Sequence, residues 1–334
     1  MFSAQLINEP FADPGVYVKL KYRDEAILFD LGDLHHFPSR KILKISTIFI
    51  SHTHMDHFIG FDHVLRICLG RDRHIALYGP PGFIRNVENR IFSYTWNLVE
   101  NYTNDFVLTV HEVHTTHIMA KRYRCRDAFC GEMIEESGPF NGVLLDRDDF
   151  IVRTAFLDHK IPSLAFSLEE KSHINILKNA LGEMGLPQGK WLAGLKEKIH
   201  RGEPDDTPVD VAWKGGRPSP ARTTFSLGEL KEKIVKITAG QKISYIADAV
   251  GSEENREKIA ALARDSDIMF IEATFLHKDA ARASTKFHLT AKQAGELARE
   301  AGAKRMVIFH FSPKYRGKEH LLNEEALAAF RGLS

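Results

Sequence analysis

Apolar and polar positions alternate over residues 15–22, give way to a polar turn at 23–25 and resume as an apolar run over 26–31, a pattern that predicts a β-hairpin. The β-branched run over 45–50 predicts a buried strand. Residues 58–69 then switch to helical spacing, with Phe61, Val64, Leu65 and Leu69 on one face and His63 as an ordinary half-exposed member. A short strand over 75–78 stops at Gly79-Pro80-Pro81-Gly82, a turn placed before an amphipathic helix predicted over 83–101. Further strands are predicted over 106–113, 150–157, 242–247, 268–271 and 306–309. An alanine-rich helix over 290–300 has Thr290 as its cap and Gly302 as its stop.

Between residues 159 and 248 the pattern changes. Helical pieces over 169–193 are broken by Gly182, Gly185, Pro187 and Gly189, and residues 202–222 read as a loop of Pro, Gly, Asp and Arg. A structureless loop of that length does not suit a compact core, so the expectation is one domain over 1–334 carrying an inserted, projecting segment at 168–236. Lys190, Lys196, Lys198, His200 and Arg201, with Trp191 among them, could grip a phosphate backbone there; a solvated helix face with a core tryptophan fits equally well.

The strand ends carry the chemistry. The run over 45–50 ends in Ser51-His52-Thr53-His54-Met55-Asp56-His57, three imidazoles and a carboxylate within six positions. Nitrogen and oxygen donors of this type suit zinc and its first-row neighbours. Four such ligands crowd a single tetrahedral ion, which points to two ions, His52 and His54 on one, Asp56 and His57 on the other. Four later strands end in Asp158-His159, Asp248, Glu272 and His310, and in layered α/β architectures such ends gather at one crevice. His111, His114 and His117 recur at intervals of three, which on a strand does not keep them on one face.

Composition narrows the partners. A net charge of +1 over 334 residues removes any global electrostatic case for nucleic acid and leaves local patches, such as Lys121, Arg122, Arg124 and Arg126 around Tyr123. Three cysteines, Cys68, Cys125 and Cys130, make no disulfide framework in a chain of this size and favour a reducing compartment. No basic head with an apolar signal core opens the chain, and no run reaches the roughly twenty apolar residues that span a bilayer. A soluble cytoplasmic protein without membrane partners is expected.

The motif from His52 to His57, His-x-His-x-Asp-His, resembles the signature of the metallo-β-lactamase superfamily. Within it the ribonuclease Z branch, endonucleases that remove the 3′ trailer of precursor transfer RNA, is matched along nearly the whole chain. The matches are Gly79-Pro80-Pro81-Gly82; His159 followed by Ile161-Pro162-Ser163-Leu164-Ala165-Phe166; Gly185-Leu186-Pro187-Gln188-Gly189; Glu272-Ala273-Thr274; His288 with Thr290; and His310-Phe311-Ser312-Pro313-Lys314-Tyr315. The resemblance implies an α/β four-layer αββα sandwich, an inserted arm that grips transfer RNA, and a homodimer. It also implies two zinc ions, with Mn2+ or Fe2+ as alternatives: His52, His54 and His159 hold one, Asp56, His57 and His310 the other, and Asp248 bridges them. Departures are Asp30-Leu31-Gly32-Asp33 where a glycine-rich Gly-Glu-Gly segment is expected, Ala247-Asp248-Ala249 in place of Gly-Asp-Thr, and a looser histidine motif at Phe287-His288-Leu289-Thr290.

The chemistry that follows is a two-metal phosphodiesterase acting on precursor tRNA, in which hydroxide attacks phosphorus in line with the departing ribose 3′-oxygen. Asp56 would orient the nucleophile as well as bind metal. His288, oriented by Glu272, suits the role of acid for the leaving oxygen, because imidazole titrates near the working pH. Ser312, Lys314 and Arg316 are candidate phosphate contacts. The rival reading is a metal-dependent hydrolase of a small ester, thioester, lactone or non-tRNA phosphodiester, which needs the metals but neither the Glu272–His288 pair nor the arm. A binding protein without turnover accounts for the ligand set least well.

Overall fold

The computed structural model describes residues 2–21, 23–134, 139–213 and 221–333. Its first sheet contains β1 (Phe2–Leu6), β2 (Val16–Leu20), β3 (Glu25–Phe29), β4 (Ile45–Phe49), β5 (Arg73–Gly79), β6 (Phe106–Val113), β7 (Ile118–Arg124) and β8 (Gly131–Ile134), hydrogen-bonded in that order. The expected hairpin is β2–β3, with Val16 opposite Phe29; Tyr22, at its turn, lies outside the described residues. From β3 to β6 the pairing is parallel. That sets the carboxyl ends of β3 and β4 side by side, Phe29 against Phe49.

The second sheet has six strands: β9 (Val143–Asp146), β10 (Phe150–Asp158) and β11 (Pro162–Glu170), then, after four short strands described below, β16 (Lys242–Ile246), β17 (Ile268–Glu272) and β18 (Met306–Phe309). Their order is β18-β17-β16-β11-β10-β9. Parallel pairing of β16, β17 and β18 aligns the ends that precede Asp248, Glu272 and His310.

Aromatic rings join the two sheets. Tyr78, Phe49, Phe29, Tyr245 and Phe309 stack in succession, with centroids 5.0, 5.5, 5.7 and 5.3 Å apart, and Phe166 lies against Phe29 at 5.5 Å. Such pairs add about 0.5–1.5 kcal/mol each beyond the apolar area they bury. Phe29 is the hub, and Phe29→Ala would cost roughly 3–5 kcal/mol.

Helices cover the outer faces. On the first sheet, α1 (Ser39–Ile42), α2 (Met55–Phe58), α3 (Phe61–Cys68) and α4 (Phe83–Ile91) are the helices of this part of the chain, and Ile42, Phe58, Phe61, Val64, Phe83 and Val87 join its core. Two of these helices differ from the sequence expectation. The helix over 58–69 is broken at Ile59-Gly60, because the Gly60 N–H donates to Leu31 O at 2.8 Å and a Cβ there would run into the Gly32 carbonyl. The helix expected over 83–101 stops at Ile91, where Trp96 Nε1 donates to Ile91 O at 3.0 Å and Ser93 Oγ to Arg90 O at 2.7 Å. These bonds satisfy carbonyls that a continuing helix would have used.

A second compact unit comprises residues 145–151 and 169–241. It holds β12 (His173–Ile176) paired with β15 (Val235–Thr238), β13 (Pro208–Trp213) paired with β14 (Ala221–Ser226), and the helices α5 (Lys178–Glu183), α6 (Trp191–His200) and α7 (Leu227–Ile234). The segment read as a loop over 202–222 is therefore largely the β13–β14 hairpin, with residues 214–220 outside the described part. Alternation of Val209 and Val211 on one face was the signal, and both are buried with Leu195, Leu227 and Leu230 in a small core of the unit's own.

After β16 the chain adds α8 (Glu253–Leu262), α9 (Ala280–Thr285), α10 (Ala291–Glu300) and α11 (Glu319–Phe330) to the core unit. As expected, α10 starts at Thr290, where a capping box with Gln293 forms, and Gly302 follows it at φ +68°.

Candidate metal centre

Nine predicted residues from both sheets converge. Three overlapping groups, His52/His54/His159/Asp248, Asp56/His57/His310 and Asp248/Glu272/His288/His310, each place their ligand atoms within 4.8 Å of one another. Asp248 is the junction. Its Oδ2 lies 3.8 Å from His52 Nε2, 3.5 Å from His57 Nε2, 3.6 Å from His159 Nε2 and 3.7 Å from His288 Nδ1. Its Oδ1 lies 3.1 Å from His310 Nδ1. Burial alone would raise this carboxyl's pKa; the facing His310, His57 and His288 outweigh it and hold the group well below the usual carboxylate range.

The imidazoles are aimed by their far nitrogens. His57 Nδ1 donates to Asp30 Oδ2 at 2.7 Å, and His159 Nδ1 to Phe287 O at 2.7 Å. Each bond fixes a tautomer and leaves Nε2 free to coordinate. His52 Nδ1 meets Ser51 Oγ at 3.1 Å. His52 Nε2, His57 Nε2 and Asp248 Oδ1 are buried with no hydrogen-bond partner, a costly state for polar atoms in a folded core. Divalent ions would satisfy these atoms, and the nitrogen and carboxylate donors fit first-row metals. Burial keeps His52 neutral far below its ordinary range, ready as a ligand. His57 and His310 have the opposite bias, because facing carboxylates overcome burial and raise both.

Glu272 and His288 form a separate couple within the third group. Glu272 is fully buried, and its oxygens accept from Ala249 N at 2.8 Å and His288 Nδ1 at 3.0 Å, with Thr274 Oγ1 at 2.6 Å. With its lone pairs so engaged, Glu272 is a hydrogen-bonding partner of His288 more than a ligand. Burial opposes protonation of His288, but Glu272 and Asp248 prevail and raise it to about 9.

Asp30 was not among the residues singled out for the site. It is fully buried and accepts from Ser51 N (2.7 Å), Ser51 Oγ (2.8 Å), His57 Nδ1 and, from the other sheet, Tyr245 OH (2.7 Å). The signal was available: the apolar run 26–29 ends in a group that can bind metal or hold a proton, as the other five runs do. Backbone strain also concentrates here. Of seven described non-glycine residues at positive φ, Asp30 and His310 are in the site, and Lys160 and Phe287 adjoin His159 and His288.

The other histidines lie elsewhere. His111 stacks on Tyr78 at 4.3 Å, and burial lowers it to about 4; His114 bonds Glu112 at 3.0 Å and stacks on His117. Ser312, Lys314 and Arg316 follow His310 directly, but the Lys314 ammonium is paired with Asp279 at 2.7 Å. Lys121 pairs with Glu88, and Arg124 and Arg126 with Asp105, so three of the four basic residues of that patch are paired within the protein. Cys125 is buried, Cys130 is exposed, and both are free thiols.

Comparison with known proteins accords with this geometry. The sequence profile of the Beta-lactamase superfamily domain matches residues 213–311. Human tRNase Z, short form, superposes with a TM-score of 0.55 at 19% identity, covering 94% of this chain and 93% of that one. YhfI of Bacillus subtilis, described as a metallo-beta-lactamase fold protein, gives 0.54 at 13% identity, covering 98% and 92%. The chain thus has the metallo-β-lactamase fold. No described helix is long and apolar enough to cross a membrane. In sequence it is similar to ribonuclease Z: that of Deinococcus radiodurans is 28% identical over 323 residues, 95% of this chain and 92% of the relative. The ribonuclease Z of Bacillus velezensis is 29% identical over 322 residues, 93% and 86% of the two.

Proposed function

We propose that the protein is a ribonuclease Z-like endoribonuclease that removes the 3′ trailer of precursor tRNA. The observation that carries the reading is the carboxylate of Asp248 ringed by five imidazoles, with the Glu272–His288 couple beside it, in a chain similar to ribonuclease Z over 95% of its length. His52, His54 and His159 would hold one ion and Asp56, His57 and His310 a second, with Asp248 shared. Zinc is the proposed metal. A bound pair of this kind supplies water activation near neutral pH and stabilises charge developing on phosphorus.

The chain's own groups do the rest. Asp56, whose carboxyl is held low by His310 and His57 against burial, stays ionised and orients the attacking oxygen. His288 keeps Nδ1–H on Glu272, so the proton it delivers to the departing ribose 3′-oxygen comes from Nε2. Thr274 Oγ1, 2.6 Å from Glu272 Oε2 and 2.8 Å from His310 O, ties the acid couple to the strand end that carries His310. Ser312, Lys314 and Arg316 supply phosphate contacts once Lys314 exchanges Asp279 for the substrate. Residues 168–236 form the arm that grips tRNA, and the active species is a dimer.

One observation favours the rival, a phosphodiesterase of smaller substrates. In the second unit Lys198 pairs with Glu203, Lys231 with Asp205, Lys233 with Glu229, and Arg201 with Asp148 and Glu197. Purified protein assayed on precursor tRNA and on bis(p-nitrophenyl) phosphate separates the two. Cleavage at the trailer junction is expected; activity on the small ester alone would reject the tRNA reading. Elemental analysis should give about two ions per chain, and one or fewer after reconstitution would reject the two-metal site.

A further inference from the structure

Two cavities, the first of them at the metal loop, are unused by the chemistry above. The first, about 680 Å3, is lined by His54 and Met55 of the metal loop and by Asn86, Asn89 and Arg90 of α4. The second, about 760 Å3, is lined by Tyr94, Trp96, His63 and Arg66 together with the carboxylates of Asp13, Asp33 and Asp62, and Ile59 lines both. Among the side chains that line these cavities, Met55 is 77% exposed, Tyr94 46% and Ile59 42%.

Tyr94 is held in place. Its ring meets Trp96 edge-to-face at 6.0 Å, and Asp62, which lines the same cavity, takes the Arg90 guanidinium. Trp96 is fixed in turn by its bond to Ile91 O and by Phe129, 4.7 Å away. An exposed aromatic ring braced by a neighbouring ring loses little entropy when a flat partner settles on it.

We propose that this face is a subsite for unpaired nucleotides of the RNA, which leave the metal centre past His54 and Met55, pass Ile59 and stack a base on Tyr94. The inference rests on the RNA-cleavage reading and gives it a track for the single-stranded trailer. Recognition would be by stacking, because Asp62 already neutralises Arg90. Every base offers a π-face, so the subsite tolerates any trailer sequence.

The test uses metal-loaded protein and two probes. With precursor tRNAs carrying a trailer of one nucleotide or of about six, Tyr94→Ala should raise KM for the longer trailer about 5- to 100-fold. The single-nucleotide substrate and kcat should change less than about twofold, and Tyr94→Phe, which keeps the ring, should behave as wild type. A single-stranded oligonucleotide containing 2-aminopurine should lose emission on wild type and Tyr94→Phe but not on Tyr94→Ala. Equal KM changes for both trailers, no quenching by wild type, or a change of oligomeric state in Tyr94→Ala, which would mean that a second copy covers the face, each overturn the subsite. Quenching without tRNA cleavage would instead sink the cleavage reading and leave the subsite standing.

Discussion

Replacing Asp30 by asparagine tests whether a residue that would touch no metal sets the affinity of the second site. The side chain keeps its shape, but one oxygen becomes an amide donor. If that NH2 takes the place of Oδ2, it meets three groups that now donate, Ser51 Oγ, Tyr245 OH and His57 Nδ1. The two hydroxyls can rotate and accept. The imidazole can accept at Nδ1 only by moving its proton to Nε2, the atom that faces Asp56 and Asp248 at 3.6 and 3.5 Å. Ligation by His57 then requires either breaking that new bond or expelling the proton. Loss of such an outer partner weakens metal binding by about 10–100-fold, or about 1.4–2.8 kcal/mol. Removing the buried charge-assisted bonds should also lower folding stability by about 2–4 kcal/mol. Competition with a chromophoric chelator should therefore show one ion bound as in wild type and one about 10–100-fold weaker, with denaturant melts reporting the stability loss separately. Two ions bound at wild-type strength would refute the argument, and equal weakening of both would show that Asp30 supports the fold and not the tautomer.

His288→Ala should keep the metals and slow precursor tRNA cleavage by about two to four orders of magnitude, with a much smaller loss on bis(p-nitrophenyl) phosphate, whose leaving group departs without a proton; equal losses would remove His288 from the acid role. Asp248→Ala should be the costliest ligand change, and retention of both ions by elemental analysis would reject the bridge. His159→Ala should lower bound metal while His114→Ala leaves it unchanged, as His114 is engaged with Glu112 outside the metal groups; the reverse outcome would overturn the ligand assignment. Because His57 and His310 have pKa values raised above the ordinary imidazole value in the metal-free chain, they are protonated at pH below those raised values and must lose protons to coordinate. Metal affinity should thus fall as pH is lowered, by roughly tenfold per unit for each proton displaced; titration calorimetry in buffers of different ionisation enthalpy would show no proton release if this were wrong.

Much of the fold was legible because its strands are short apolar runs stopped by polar residues, and the metal groups draw on those same stops. His159, Asp248, Glu272 and His310 could be picked out by position alone, since parallel register in β16, β17 and β18 turns similar strand ends into spatial neighbours. What escaped was set by partners distant in sequence. Asp30, read only as part of the apolar run over 26–31, escaped because its bond to Tyr245 crosses 215 positions. The end of α4 depended on Trp96 folding back onto Ile91, an event with no helical periodicity to betray it. The β13–β14 hairpin was hidden by the Pro, Gly and Asp content of residues 202–222, although its Val209/Val211 alternation is sufficient to pair. The paired state of the basic residues was equally invisible, since charge composition does not say which carboxylate lies within reach.

The reach of these contacts also constrains biosynthesis. Asp56 waits for His310, 254 positions later, and Asp30 for Tyr245. While a chain is still being translated, His52 and His54 emerge early with only half of their surroundings, and the carboxylate proposed to be shared by both ions arrives near the last quarter. A nascent or prematurely terminated chain that lacks the strand before His310 has no complete second group to offer. Hydrolytic competence on this reading arrives late, as one event, so unfinished polypeptides would not release a partly active nuclease among the cell's RNAs.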